Sequence, residues 1–164
     1  MDARSSFDIG KLWNRRSASI ARDGRAVVGL FIAGALIALA ARVAAPWQLI
    51  TSCGGTAVLV AMFPGAEMSR PYRVVCSHII GAVTGLTLAA LFGPTWWNCG
   101  IAVAVASMLM AVTNTMHPPG VSSALLGLVS LNVAATTMLQ LTLAASLLAA
   151  FAWSWIRLTR PDAP

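Results

Sequence analysis

Charge is what this sequence is short of. Of 164 residues, 10% are Asp, Glu, Lys or Arg, against about 25% in a soluble domain, so a surface facing water on every side is excluded. The few charges are also confined in place. Nine of the sixteen lie in residues 1–25, three in 67–73, three in 157–162, and the last is Arg42. Residues 74–156 contain none. At about 1.5 Å per helical residue and about 30 Å of hydrocarbon per crossing, that run has length for roughly four passes, and residues 26–66 for roughly two more. Cysteine is scarce as well. Cys53, Cys76 and Cys99 are scattered through apolar stretches, an odd set that makes neither a disulfide framework nor a metal site; packed thiols are expected. No nucleophile–base pair or metal cluster is visible, so neither enzymatic activity nor a cofactor is expected. The net charge of +6 flanks apolar segments rather than forming a stripe, which speaks for membrane orientation and against nucleic acid.

What is present is apolar sequence, 58% of the chain, in six segments: 26–45, 49–63, 74–92, 97–116, 121–135 and 137–156. Four have full membrane length, and two are about 15 residues long, which leaves open whether they span or re-enter. Pro46, Phe63-Pro64-Gly65, Gly93-Pro94 and Pro118-Pro119-Gly120 separate most of them, because proline lacks the backbone donor and clashes with the preceding turn. Residues 1–25 form a basic leader, in which Ile9, Leu12, Trp13 and Ile20 share a face suited to an interfacial helix, a basic arm being the alternative. Ala38-Leu39-Ala40 looks like a signal-peptidase box, but the long leader and the continuation to Ala45 read as a retained first membrane helix.

The order full, short, full occurs twice. A shift of about 67 residues sets Thr56-Ala57-Val58-Leu59 against Ser123-Ala124-Leu125-Leu126, so repeats at about 26–92 and 97–156 are expected. The expected fold is an all-α polytopic membrane bundle, with four full-length and two short or broken helices in an inverted 3+3 repeat. The leader at 1–25, a transmembrane domain at 26–156 and a tail at 157–164 complete it. Lys and Arg collect on cytoplasmic loops, which places both termini, Arg70 and Arg73 on the cytoplasmic side. Trp47, Trp96 and Trp97 would form the outer aromatic belt and Trp153 and Trp155 the inner one, with Arg42 snorkelling to the interface. Six thin segments make a small wall for a pore, and Gly81-xxx-Gly85 has the spacing that brings helices close, so a homo-oligomer, a dimer or larger, is expected.

The apolar interior carries no carboxylate with which to hold a cation, so a small anion or a neutral solute suits it better. Its titratable groups besides thiols are His78 and His117. His117 stands in Thr113-Asn114-Thr115-Met116-His117-Pro118-Pro119-Gly120-Val121-Ser122-Ser123, where two prolines push it out of helical geometry and Ser122 and Ser123 can cap the helix that follows. The matching stretch, Gln48 to Thr56, offers Thr51, Ser52, Gly54, Gly55 and Thr56. Each repeat therefore presents a polar, glycine-bearing break ahead of a short helix whose free amides can bind an anion. The expected substrate-binding residues are His117, Pro118, Pro119, Gly120, Ser122, Ser123, Gly54, Gly55, Thr56, His78 and Asn114.

His117-Pro118-Pro119-Gly120, preceded by Thr-Asn-Thr-Met, resembles the signature of the HPP family of small integral membrane proteins. Cys53-Gly54-Gly55-Thr56-Ala57-Val58-Leu59 and Arg70-Pro71-Tyr72-Arg73-Val74-Val75-Cys76-Ser77-His78 are similar to the family's two other blocks. The resemblance implies four membrane spans, a bacterial inner membrane and, from some members, nitrite transport. This chain departs from the family pattern in Gly120-Val121-Ser122-Ser123, where a second glycine is usual, and in Tyr72-Arg73, where arginine is usually one position earlier. The expected function is thus a transporter or channel for a small anion, with nitrite as the candidate. A non-transporting structural or regulatory membrane subunit is the alternative.

Overall fold

A computed structural model describes the backbone of residues 9–44 and 48–159, and side chains over 23–40 and 52–159. The described residues are helical, without strands. They run as α1 (Ile9–Ala44), α2 (Gln48–Met62), a 3-10 turn (Glu67–Ser69), α3 (Pro71–Phe92), α4 (Trp96–Val112), α5 (Pro119–Val129), a second 3-10 turn (Leu131–Val133) and α6 (Ala134–Thr159). Helix α1 is continuous from Ile9, joining the end of the leader to the first apolar segment. The side chains of the expected interfacial face, Arg42 and Trp47 lie outside the described residues.

Three helices, rather than four, are long and apolar enough to cross a membrane: Asp23–Ala40, Pro71–Phe92 and Leu131–Thr159. Helix α4 stops at 17 residues because Asn114 turns into the left-handed region at φ 54°. The amide of Asn114 then bonds the Ala111 carbonyl and that of Thr115 the Met110 carbonyl, a double closure that ends the helix. The break expected near residue 136 falls earlier, at Ser130. There the 3-10 turn begins (Val133 N–H to Ser130 O, 3.0 Å), leaving α5 11 residues. Ser130 and Asn132 are residue types that compete with the helical ladder. The expected break over Gln48–Thr56 is absent: α2 is unbroken from Gln48 to Met62, so Ser52, Gly54, Gly55 and Thr56 are helix-interior residues. Two glycines lower helix propensity, but packing outweighs that.

Small side chains set the packing. Helix α3 is central and touches α4, α5 and α6, while α1, α2 and α6 form the other side. Alanines 33, 57, 82, 102, 106, 124, 145 and 152 are buried, as in membrane bundles, where close approach rather than apolar contrast drives association. Helices α3 and α5 run parallel with their backbones in contact. A methyl group on Gly81 would strike the Gly120 carbonyl, one on Gly85 the Ala124 carbonyl, and one on Gly127 the Ala82 carbonyl. The Gly81-xxx-Gly85 face is thus used within the chain, which removes the ground for expecting a homo-oligomer from it. Large apolar side chains point outward instead, with Phe31, Leu91, Val112 and Leu139 all exposed. Trp96, Trp97 and Trp153 are exposed too, but Trp155 is not. It packs on Gly29 and Ala61 and donates Nε1–H to the Ala61 carbonyl at 3.3 Å. Cys53 is buried, Cys76 half-buried and Cys99 exposed, so the packed-thiol expectation fails for Cys99.

Candidate functional site

Five polar side chains meet inside this bundle. Ser52 and Thr56, four residues apart on α2, share a face. His78 lies in the third turn of α3. Ser123 comes one turn into α5, and His117 stands just before the Pro118-Pro119 pair at its start. Proline at the first helical position supplies a fitting φ and has no donor to lose, so Pro118-Pro119 fixes where α5 starts and leaves His117 outside the helix. Gly120 allows α5 to lie against Ser77 of α3, whose Cβ and Oγ a methyl there would meet. That contact brings Ser123 level with His78.

Thr56 Oγ1 lies 2.9 Å from His78 Nε2 and 2.9 Å from His117 Nε2. Ser123 Oγ is 2.6 Å from His78 Nδ1 and 2.6 Å from Ser52 Oγ, with Ser52 Oγ a longer 3.4 Å from His78 Nδ1. His117 Nδ1–H donates to the Met68 carbonyl at 2.7 Å. All five side chains are buried. Every imidazole nitrogen therefore has a partner, as burial of a polar ring requires. The two rings meet edge to face, with centroids 5.7 Å apart.

A second polar knot closes one end of the cluster. Arg73, buried on α3, donates Nη2–H to Glu67 Oε2 at 3.1 Å and to Asn114 Oδ1 at 3.0 Å, and Nε–H to the Tyr72 hydroxyl at 3.0 Å. Arg70 also pairs with Glu67, at 3.0 Å. Ser69 Oγ–H caps the end of α2 on the Phe63 carbonyl at 2.8 Å. These bonds hold the 67–69 turn over His117, where its Met68 carbonyl is the acceptor.

Of the residues expected from sequence, the structure brings Thr56, His78, His117 and Ser123 together and sets Pro118, Pro119 and Gly120 as their frame. Four stand apart. Ser122 donates to the Pro119 carbonyl at 2.6 Å, neither serine caps α5, and Asn114 belongs to the Arg73 knot. Gly54 has open space around it and Gly55 rests on Pro119, because both lie inside a continuous helix. Sequence reasoning missed Ser52 as a member, although its four-residue spacing from Thr56 on a helix was a usable signal. Arg73 and Glu67 were also missed, and the Met68 carbonyl, being backbone, leaves no mark in a sequence. Ser123 and His78 stand at nucleophile–base spacing. However, Ser123 is held by Ser52, and His78 is oriented by a hydroxyl rather than a carboxylate.

Residues 15–164 match the family described as HPP, transmembrane region. Two proteins of Dictyostelium discoideum, each described only as a transmembrane protein, are similar to this chain. One is 33% identical over 82 residues, covering 48% of this chain and 29% of the relative. The other is 31% identical over 86 residues, covering 50% and 28%. The chain thus spans under a third of the length of these relatives. No solved structure matches.

Proposed function

The chain belongs to the HPP family of membrane proteins, and on that premise we propose that it passes a small anion across a membrane along the Ser52–Thr56–His78–His117–Ser123 cluster. One observation carries the reading. Five neutral hydrogen-bonding groups are gathered, buried and bonded to one another, from α2, α3, α5 and the α4–α5 connection. Hydroxyl and imidazole N–H groups are the donors that replace an anion's hydration shell. The helices around them carry no carboxylate that would repel the anion. Such donors suit a small anion as a class and favour no member of it, nitrite included.

The arrangement of ends supports six passes, three by the long helices and three by the shorter α2, α4 and α5, with both termini on the cytoplasmic side. Arg25 of α1, Pro64 beyond α2 and Thr159 of α6 line one recess of about 240 Å³. The start of the first span, the 63–70 loop and the end of α6 therefore share a face, together with Arg70, Arg73 and Arg157, as positive-inside bias requires. Helical spans also favour an inner bacterial membrane over an outer one, which takes barrels. An inverted repeat is supported by the helix ends: α2 and α3 end at 62 and 92, α5 and α6 at 129 and 159, an offset of 67 in each pair. Helices α2 and α5 are antiparallel, since Thr56 meets His117 while Ser52 meets Ser123. One chain completes the cluster, so the proposal needs no second copy.

The test is nitrite flux into liposomes carrying the purified chain. Flux above empty vesicles is expected, falling at least about tenfold in His117→Ala and in Ser123→Ala, the change that goes with losing one contact of ~1.4 kcal/mol. Circular dichroism and thermal unfolding keep folding losses separate. Flux no greater than in empty vesicles would overturn the proposal and leave the cluster as a packing device in a non-transporting subunit.

A further inference from the structure

The hydrogen bonds of the cluster all run one way. A carbonyl can only accept, so the Met68 oxygen requires a proton on His117 Nδ1. In a neutral imidazole Nε2 is then the acceptor, and the Thr56 hydroxyl donates to it. Thr56 has one proton, so toward His78 it accepts, and His78 Nε2 carries the hydrogen. His78 Nδ1 is therefore an acceptor and takes the proton of Ser123, its closer hydroxyl. The Ser52 and Ser123 oxygens, 2.6 Å apart, are then joined by the proton of Ser52. Each group donates once, in the order Ser52, Ser123, His78, Thr56, His117, Met68. Ser52 lies about 6 Å farther along α2 than Thr56 from the arginine-bearing end, at 1.5 Å per residue, so the chain of bonds runs partly along the membrane normal.

We propose that the His78–Thr56–His117 relay takes up a proton with each anion, so that transport is proton-coupled and carries no net charge. This rests on the anion reading above. The step balances without any redox change. A solvent proton bonds to Ser52 Oγ as the former Ser52 proton passes to Ser123 and that of Ser123 to His78 Nδ1, making His78 an imidazolium. Its Nε2 proton then passes to Thr56 as the Thr56 proton passes to His117 Nε2. The positive charge has moved from one ring to the other, and only O–H and N–H bonds have formed or broken.

At Met68 the path ends, because an amide carbonyl accepts a hydrogen bond but does not relay a proton. The proton on His117 leaves only when the 67–69 turn withdraws, and that turn is held by Glu67 to Arg70 and Arg73. On the elements packed around the relay, these are the charged groups, and they satisfy one another: Glu67 on the turn and Arg73 on α3. Helices α2, α4 and α5 carry no Asp, Glu, Lys or Arg, and α6 has only Arg157, in its last turn. The thiol of Cys53 packs with α1 and α6 on the far side of α2. A lone imidazolium or a lone anion in this interior is strongly disfavoured, and the two together compensate.

The experiment uses the full chain in liposomes, with nitrite as the probe anion, a pH-sensitive dye inside and the membrane potential set by potassium and valinomycin. After subtraction of empty vesicles, a proton is expected to enter with each nitrite, at a rate that an imposed potential does not change. Thr56→Val should lower proton and nitrite flux together by at least about tenfold, while Thr56→Ser, which keeps the hydroxyl, retains both. Nitrite flux that follows the potential without proton movement would overturn the coupling and leave the anion reading standing. Absence of protein-dependent nitrite flux would overturn both. The wild-type proton-to-nitrite ratio decides without any variant, so a misfolded Thr56→Val does not obscure the result.

Discussion

Replacing Gly85 with alanine places a methyl group against the Ala124 carbonyl and within contact of the Leu128 amide. Those atoms are backbone of a packed helix, so no side-chain rotation relieves the overlap, and α3 and α5 must part by about 1 Å to reach ordinary contact. The shift is transmitted two turns along α3 to His78. Its bond with Ser123, now 2.6 Å, lengthens to about 3.6 Å, where it is no longer a hydrogen bond. Overpacking of a filled interface costs about 1–3 kcal/mol, and the lost bond about 0.5–1.5 kcal/mol more. A total loss near 2–4 kcal/mol is expected, read by thermal or denaturant unfolding of the purified protein in mild detergent. The control is Gly100→Ala on α4, where a methyl meets nothing within 4 Å and helix propensity favours alanine by up to about 1 kcal/mol. The two substitutions are chemically the same and should move stability in opposite directions. If Gly85→Ala matches the wild type, the backbone contact between α3 and α5 does not set the geometry of the cluster.

Two further outcomes are expected. Asn114→Ala loses the side chain that tolerates φ 54° and the Arg73 partner, and should cost about 2 kcal/mol. Asn114→Gly keeps the backbone freedom and should cost about half as much, so equal losses by unfolding would refute the role of the left-handed turn. In a background lacking native cysteines, Glu67→Cys and Asn132→Cys should react with a membrane-impermeant maleimide from opposite sides. Reaction of both from the same side would overturn the six-crossing arrangement.

The membrane character of this protein was legible in its sequence, because excluding charge from a hydrocarbon environment is a constraint that composition records directly. So were most helix limits: Gly93-Pro94 ends α3, and Pro118-Pro119 fixes the start of α5 and keeps His117 out of it, all through local backbone sterics. The offset of about 67 residues also set Thr56 against Ser123, and both bond His78 in the structure, though not each other. The rest depended on which faces meet. Nothing local says that Gly81 and Gly85 are spent on α5 rather than on a second copy, or that Trp155 turns inward onto Gly29. A glycine-bearing stretch can read as a break and still be held helical by its neighbours, as α2 is. The acceptor that closes the cluster is a main-chain carbonyl at Met68, and the arginine that secures it lies 41 positions from its Asn114 partner. Neither has a local sequence signature, because a hydrogen bond between distant segments exists only once packing has brought the two atoms within 3 Å of each other.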